Sequence, residues 1–246
     1  MKYRYRDCEI FYKFFDKESS VVNVFLHGWA NDHNSLLFCN EVLLDSCLFI
    51  DFPPFGQSGE VEGWSIFTYA NMVISLCQHL KLKKINLIGH SFGGRVGIII
   101  SVFQKELVDR LMLIDSAGLK PKRGIKYRWK VFDYKVKRKL GKDISNYGSS
   151  DYKNLSPQMK KVFISIVNTH LDEFLPFVKA KTLIVFGEKD VDTPLYMARK
   201  LHRKIKNSEL VILKDAGHFC FLDRKFEFVM LLEKFLNVGE NYVCTL

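Results

Sequence analysis

The chain of 246 residues contains no run of about 20 apolar residues, so nothing in it reads as a membrane-spanning helix. Met1 to Asp7 carries charges where a secretory signal needs a continuous apolar stretch. The six cysteines, at positions 8, 39, 47, 77, 220 and 244, have no C-x-x-C spacing, which argues against structural zinc. Most lie in apolar segments, where a free thiol packs as a small hydrophobe, and their placement does not match the disulfide framework of a small secreted domain. Internal repeats and low-complexity linkers are also missing. These absences predict a soluble, cytoplasmic protein built as one globular unit around a single sizeable core.

What is abundant is positive charge, and it is local. The formal net charge is +10, and between residues 119 and 143 there are eleven Lys or Arg against two Asp. The rest of the chain holds 26 basic and 25 acidic residues, so one segment accounts for nearly all of the excess. Within it Lys122, Arg123, Lys126 and Arg128 are interleaved with Tyr127 and Trp129. A solvated amphipathic helix is the plain reading of such a stretch. The functional reading is a surface for an acidic partner: an acyl-carrier protein, an anionic substrate or a membrane surface. Nucleic acid fits the charge, but no recognised nucleic-acid motif accompanies it, and no nucleic-acid partner is expected.

The hydrophobic pattern alternates strand and helix. Lys2 to Arg6 and Glu9 to Phe15 read as an opening hairpin, and Val21 to Leu26 and Cys47 to Phe52 as further strands. Ile66 to Leu80 places apolar residues at helical spacing; strand Ile85 to Ile88, a turn at Gly89 to Gly93 and a helix from Gly94 to about Phe103 follow. Later come strands at Arg110 to Asp115, Thr182 to Phe186 and Leu210 to Leu213, with helices near Leu195 to Ile205 and Phe226 to Leu236. The fold class is therefore α/β, a mostly parallel sheet covered by helices on both faces. Residues 119–176 interrupt the alternation and are expected to form a small helical lid over the carboxyl ends of the strands, leaving 1–118 and 177–246 as the core.

Gly89-His90-Ser91-Phe92-Gly93 sits between an apolar strand and an apolar helix. A serine on such a tight turn is exposed, and its neighbours must be glycine because backbone and adjoining elements come too close for side chains. A serine hydroxyl needs a base, and the base an acid that fixes its tautomer. Of the seven histidines His218 is the best base, on a loop after the last strand. His79, His170 and His202 fall in polar segments and are expected to be solvated. The acid is Asp190, in Gly187-Glu188-Lys189-Asp190 at another strand exit, with Asp192 and Asp115 as competitors. Backbone N–H groups of Trp29 and Phe92 are the candidate oxyanion donors. His27, Trp29 and Phe219 are candidate substrate contacts. Phe132, Tyr134 and Phe163 are further possible lining residues, with an ordinary core role equally open to them.

Across nearly its whole length the chain resembles the α/β-hydrolase-fold serine hydrolases. The matching pieces are His27-Gly28-Trp29, the loop Asp51 to Gly59, Gly89 to Gly94, Gly187-x-x-Asp190 and Gly217-His218, in the chain order Ser, Asp, His. It is most similar to the small lidded branch with carboxylesterases, carbon-carbon bond hydrolases and the pimeloyl-acyl-carrier-protein methyl ester esterase. Pro54 departs from the glycine usual there. Serine at the elbow disfavours the aspartate-nucleophile members. The resemblance implies hydrolysis of a small-molecule or carrier-bound acyl ester through an acyl-enzyme on Ser91, without metal or organic cofactor. A carbon-carbon bond hydrolase and a non-catalytic ligand-binding protein of the same fold are the alternatives.

Overall fold

The computed structural model describes residues 1–122, 133, 137, 152 and 155–236. Its centre is a sheet of eight strands: β1 (Lys2–Tyr5), β2 (Cys8–Phe15), β3 (Val22–Leu26), β4 (Cys47–Ile50), β5 (Ile85–His90), β6 (Val108–Ile114), β7 (Lys181–Gly187) and β8 (Ser208–Leu213). Their order is β1-β2-β4-β3-β5-β6-β7-β8. The two pairings that involve β2 are antiparallel and the rest parallel.

Seven α-helices occur among the described residues: α1 (Cys39–Val42), α2 (Ile66–His79), α3 (Phe92–Phe103), α4 (Pro157–Asn168), α5 (Leu195–Lys204), α6 (Cys220–Asp223) and α7 (Lys225–Leu236). None is long and apolar enough to cross a membrane. The start of α2 is fixed by a reciprocal capping box between Ser65 and Thr68.

Every residue of β3, β4 and β5 is buried, which explains why these strands read as continuous apolar runs rather than alternating ones. The period of two divides them between two cores. Val24, Leu48, Leu87 and Leu111 pack with α2, α3 and α5 on one face. Phe25, Phe49, Ile88 and Met112 pack with α6 and α7 on the other, where Phe25 and Phe49 stack at 4.5 Å. Cys8, Cys39, Cys47, Cys77 and Cys220 are buried free thiols that help fill these cores.

The chain leaves β3 for β4 on one side and returns to β5 on the other, so the sheet has a switch point between β3 and β5. Open α/β sheets bind ligands at the carboxyl ends of strands flanking such a point. Between β6 and β7 lie α4 and a 3-10 turn at Leu175–Phe177. Residues 123–154 of the expected lid, apart from 133, 137 and 152, lie outside the described residues.

Two local expectations need correcting. The helix after Ser91 begins at Phe92, two residues earlier than expected, so Phe92 and Gly93 are helical rather than part of the turn. His170 follows α4 in a loop and is only partly exposed, its Nδ1 being buried.

Candidate active site

The parallel strands all present their carboxyl ends along one edge of the sheet, and the loops leaving them carry every residue singled out for chemistry. His27 to Trp29 follows β3, Ser91 follows β5, Asp115 follows β6, Asp190 follows β7 and His218 follows β8.

Ser91 has φ 49° and ψ −105°, outside the regions that residues with a Cβ favour. The surroundings impose this conformation. Its N–H donates to the Ile114 carbonyl at 2.9 Å, and its own carbonyl accepts from Arg95 at 3.2 Å and Ala117 at 3.1 Å. The glycines are needed for contact rather than for flexibility. A Cβ on Gly93 would lie 2.0 Å from the Leu26 carbonyl oxygen, and one on Gly89 2.6 Å from the Gly93 backbone. The turn therefore pushes the serine outward while β5 and α3 close behind it.

His218 Nε2 lies 3.1 Å from Ser91 Oγ, and its Nδ1 lies 2.8 Å from Asp190 Oδ2. Asp190 is buried and also accepts from the N–H of Asp192 at 2.8 Å, the N–H of Thr193 at 3.0 Å and the Thr193 hydroxyl at 2.5 Å. Burial alone would favour its neutral form, but the hydrogen bonds from His218 and Thr193 outweigh that and hold its pKa down to about 2. Burial also opposes charge on His218, yet the bond to Asp190 and its negative charge raise the imidazole pKa above the ordinary 6.5. An ionised Asp190 fixes the tautomer with the proton on Nδ1, leaving the Nε2 lone pair for the serine hydroxyl.

The competing acids are placed differently. Asp192 is exposed at the cavity wall. Asp115 is fully buried, with one carboxylate oxygen accepting from Gly187 N–H at 2.8 Å and the other from Cys220 N–H at 3.3 Å. The Thr193 hydroxyl also meets the Asp115 carbonyl at 3.0 Å. Asp115 thus ties the β7 and β8 loops to the end of β6 without touching His218. Burial, with Asp190 nearby, pushes its pKa up to about 7.

His27, expected as a substrate contact, is buried and does not line the cavity. Both ring nitrogens are taken by backbone: Nδ1 donates to the Gly28 carbonyl at 2.7 Å, and Nε2 accepts from Phe52 N–H at 2.8 Å. Burial takes its pKa down to about 4, so it holds the loop as a neutral ring. His90 is a neutral buried histidine too. Its Nε2 donates to the His218 carbonyl at 2.8 Å, and burial together with His218 lowers its pKa to about 3. His90 and Thr193 position the proposed base and acid. Sequence reasoning passed over both, although Thr193 stands three residues after Asp190, a spacing at which a hydroxyl returns to a carboxylate in a tight turn.

Neither Trp29 N–H nor Phe92 N–H has an acceptor among the described residues. Phe92 is the first residue of α3, so its N–H is one of the donors a helix leaves free. A cavity of about 670 Å³ opens above Ser91, walled by Trp29, Phe92, Phe163, Ile166, Met197 and Phe219. The Trp29 ring meets Phe55, Phe92 and Phe163 edge to face at 4.9, 5.4 and 5.2 Å. Phe132 and Tyr134 lie outside the described residues, as do Arg123, Lys126 and Arg128. Lys122 is described and exposed.

Arg95 also reaches the cavity although it is buried, and burial lowers its pKa to about 10. Its Nη1 donates to the Ile166 carbonyl and, at 2.8 Å, to that of Thr169, so a cation sits at the carboxyl end of α4, where free carbonyls and the helix dipole favour one. Asp190, Asp192 and His218 place potential metal-ligand atoms within 4.8 Å of one another. The four donors already on Asp190 fit a hydrogen-bonded carboxylate better than a metal ligand.

Comparison with known proteins gives consistent likenesses. Residues 24–130 match the family model described as alpha/beta hydrolase fold, and residues 168–241 match one described as TAP-like protein. The chain is 28% identical over 243 residues to the AB hydrolase superfamily protein YisY of Bacillus subtilis, covering 87% of this chain and 91% of that one. It is 26% identical to the 2-hydroxy-6-oxononadienedioate/2-hydroxy-6-oxononatrienedioate hydrolase of Escherichia coli K12, over 85% of this chain and 82% of that one. The solved esterase EaEST from Exiguobacterium antarcticum superposes with a TM-score of 0.75 at 23% identity, covering 93% of this chain and 95% of that one.

Proposed function

The chain is an α/β-hydrolase-fold protein, and from that premise we propose that it is a serine hydrolase whose reaction is the hydrolysis of a carboxylic ester. The observation that carries the reading is the single imidazole of His218, bonded through Nδ1 to a buried, ionised Asp190 and through Nε2 to a serine on a strained turn.

In this reading His218 Nε2 takes the proton of Ser91 as Oγ attacks the carbonyl carbon. The oxygen of the tetrahedral intermediate becomes negative between the N–H groups of Trp29 and Phe92, where each donor is worth a few kcal/mol. Collapse expels the alcohol, which receives the proton from His218, and leaves the acyl group on Ser91. Water, deprotonated by the same nitrogen, then releases the acid and restores the serine. Asp190 stays ionised throughout and stabilises the imidazolium. Residues 119–176 act as the lid, and the aromatic and aliphatic wall above Ser91 suits an apolar acyl chain.

The test is labelling by a fluorophosphonate, read by intact mass, with turnover of p-nitrophenyl esters of graded chain length. Wild type takes one adduct and hydrolyses short esters; Ser91→Ala takes none, and its kcat falls about ten-thousandfold or more. A folded wild type that neither labels nor turns over would refute the reading in favour of a ligand-binding protein. The likeness to the Escherichia coli 2-hydroxy-6-oxononadienedioate/2-hydroxy-6-oxononatrienedioate hydrolase supports a second reading, carbon-carbon bond hydrolysis, and a vinylogous diketone consumed faster than any ester would establish it instead.

A further inference from the structure

A second cavity, of about 250 Å³, lies beside the first and is lined by Lys120, Lys122, Tyr196, Arg199, Lys200 and Arg203. The two cavities share a wall. Leu119, Pro121 and Met197 face the space above Ser91, while their chain neighbours Lys120, Lys122 and Tyr196 face the basic one. On α5, positions 196, 199, 200 and 203 fall on one stripe by helical spacing, so the cations converge by design of the helix face rather than by scatter.

Their charge is poorly compensated. Asp172 pairs with Lys200 and accepts from the Lys120 backbone N–H at 2.9 Å, and no other carboxylate bonds these side chains among the described residues. Lys122 is held over the Tyr196 ring at 4.9 Å, and its N–H donates to the Tyr196 hydroxyl at 3.0 Å. Arg199 and Arg203 are exposed, one turn apart and like in sign, an arrangement that disfavours the isolated helix. From 123 to 130 the sequence adds only basic charge.

We propose that this second cavity is a phosphate-binding site, and that it receives a phosphoryl group carried by the same substrate whose ester lies at Ser91. A single carboxylate would leave most of the repulsion standing. A phosphoryl group brings nearly two negative charges and three acceptor oxygens, which arginine forks match in geometry. The shared wall puts the phosphoryl group and the scissile ester on two sides of residues 119–122, so the substrate class is a phosphorylated acyl ester. The substrate part rests on Ser91 acting as proposed; the phosphate site does not.

Isothermal titration of inorganic pyrophosphate into wild type, Ser91→Ala and the double variant Arg199→Ala/Arg203→Ala separates the two. Wild type and Ser91→Ala bind equally, with affinity falling as salt rises, and the double variant binds at least about tenfold more weakly. In parallel, kcat/KM is compared for the butyryl ester of glycerol 3-phosphate and that of glycerol. Wild type favours the phosphorylated ester about tenfold or more, and the double variant loses that preference while hydrolysing the neutral ester as before. No saturable pyrophosphate binding by folded wild type, or equal binding by the double variant, overturns the site. Binding lost in the double variant with no preference for the phosphorylated ester overturns the substrate assignment. Pyrophosphate binding without any ester turnover counts against the Ser91 reading and leaves the phosphate site standing.

Discussion

The strand-end loops around Ser91 and the basic face of α5 lie on either side of one short stretch of chain, yet they treat charge in opposite ways. Around Ser91 the buried carboxylates are answered from within the protein: Asp190 by His218, Asp192 N–H and Thr193, and Asp115 by Gly187 and Cys220. On α5, Arg199 and Arg203 have no carboxylate partner among the described residues. Buried polar groups must be satisfied at folding, whereas exposed cations can wait for an external ligand. The buried carboxylates of the first region thus need no outside partner, and the second region gains most from one.

Mutations that remove charge should therefore do harm at one end and little at the other. The largest effect is expected from Asp190→Asn, which removes the ionised acceptor of the His218 Nδ1 proton and lowers kcat about a thousandfold to ten-thousandfold. The same variant tests the electrostatics through pH. In wild type the acid limb of kcat/KM has its midpoint above 6.5, because the base works only when neutral and Asp190 raises its pKa. The limb moves to lower pH in Asp190→Asn, and an unmoved limb would mean that another group sets it. Next comes Asp115→Ala, which strands the N–H groups of Gly187 and Cys220 and is expected to cost about 1 to 3 kcal/mol, read as a lower urea midpoint. The smallest effect belongs to Arg199→Ala with Arg203→Ala. Unfolding without ligand should be unchanged or a few tenths of a kcal/mol more costly, since a like-charge pair is relieved and alanine favours helix. A loss of more than 1 kcal/mol there would erase the contrast.

Native-state linkage carries the same asymmetry. The pKa of Asp190 is depressed from 3.8 to about 2, so the stability it contributes is present above 3.8 and is lost as pH falls through about 2. His218 shifts the other way: its contribution is full below 6.5 and disappears as pH rises through its raised native pKa.

The sequence patterns that proved most legible were those with many residues behind them. The buried runs of β3, β5, β6 and β7 and the periodicity of α2, α5 and α7 located the sheet and its layers. The short elements were not legible. The helix α1 and the 3-10 turn at His33–Leu36 are four residues each, too short for periodicity, and rest on tertiary contacts such as Phe38 against Phe221 and Phe228. Strand ends placed Ser91, Asp190 and His218 in three loops on one edge, because parallel topology brings loops together whatever their separation in sequence. Side-chain direction did not follow from position. His27 and Trp29 are two residues apart, yet the first ring turns into the protein and the second walls the cavity. The glycine at 93 suggested a longer turn, whereas it serves the approach of α3 to its neighbours.

Arg95 stands one helical turn beyond Ser91 and grips the final carbonyls of α4. To lift that end of α4, the guanidinium would have to surrender both acceptors while its stem stayed in apolar surroundings. That end of α4, whose Phe163 and Ile166 wall the cavity, is therefore tied to the same helix that follows the serine.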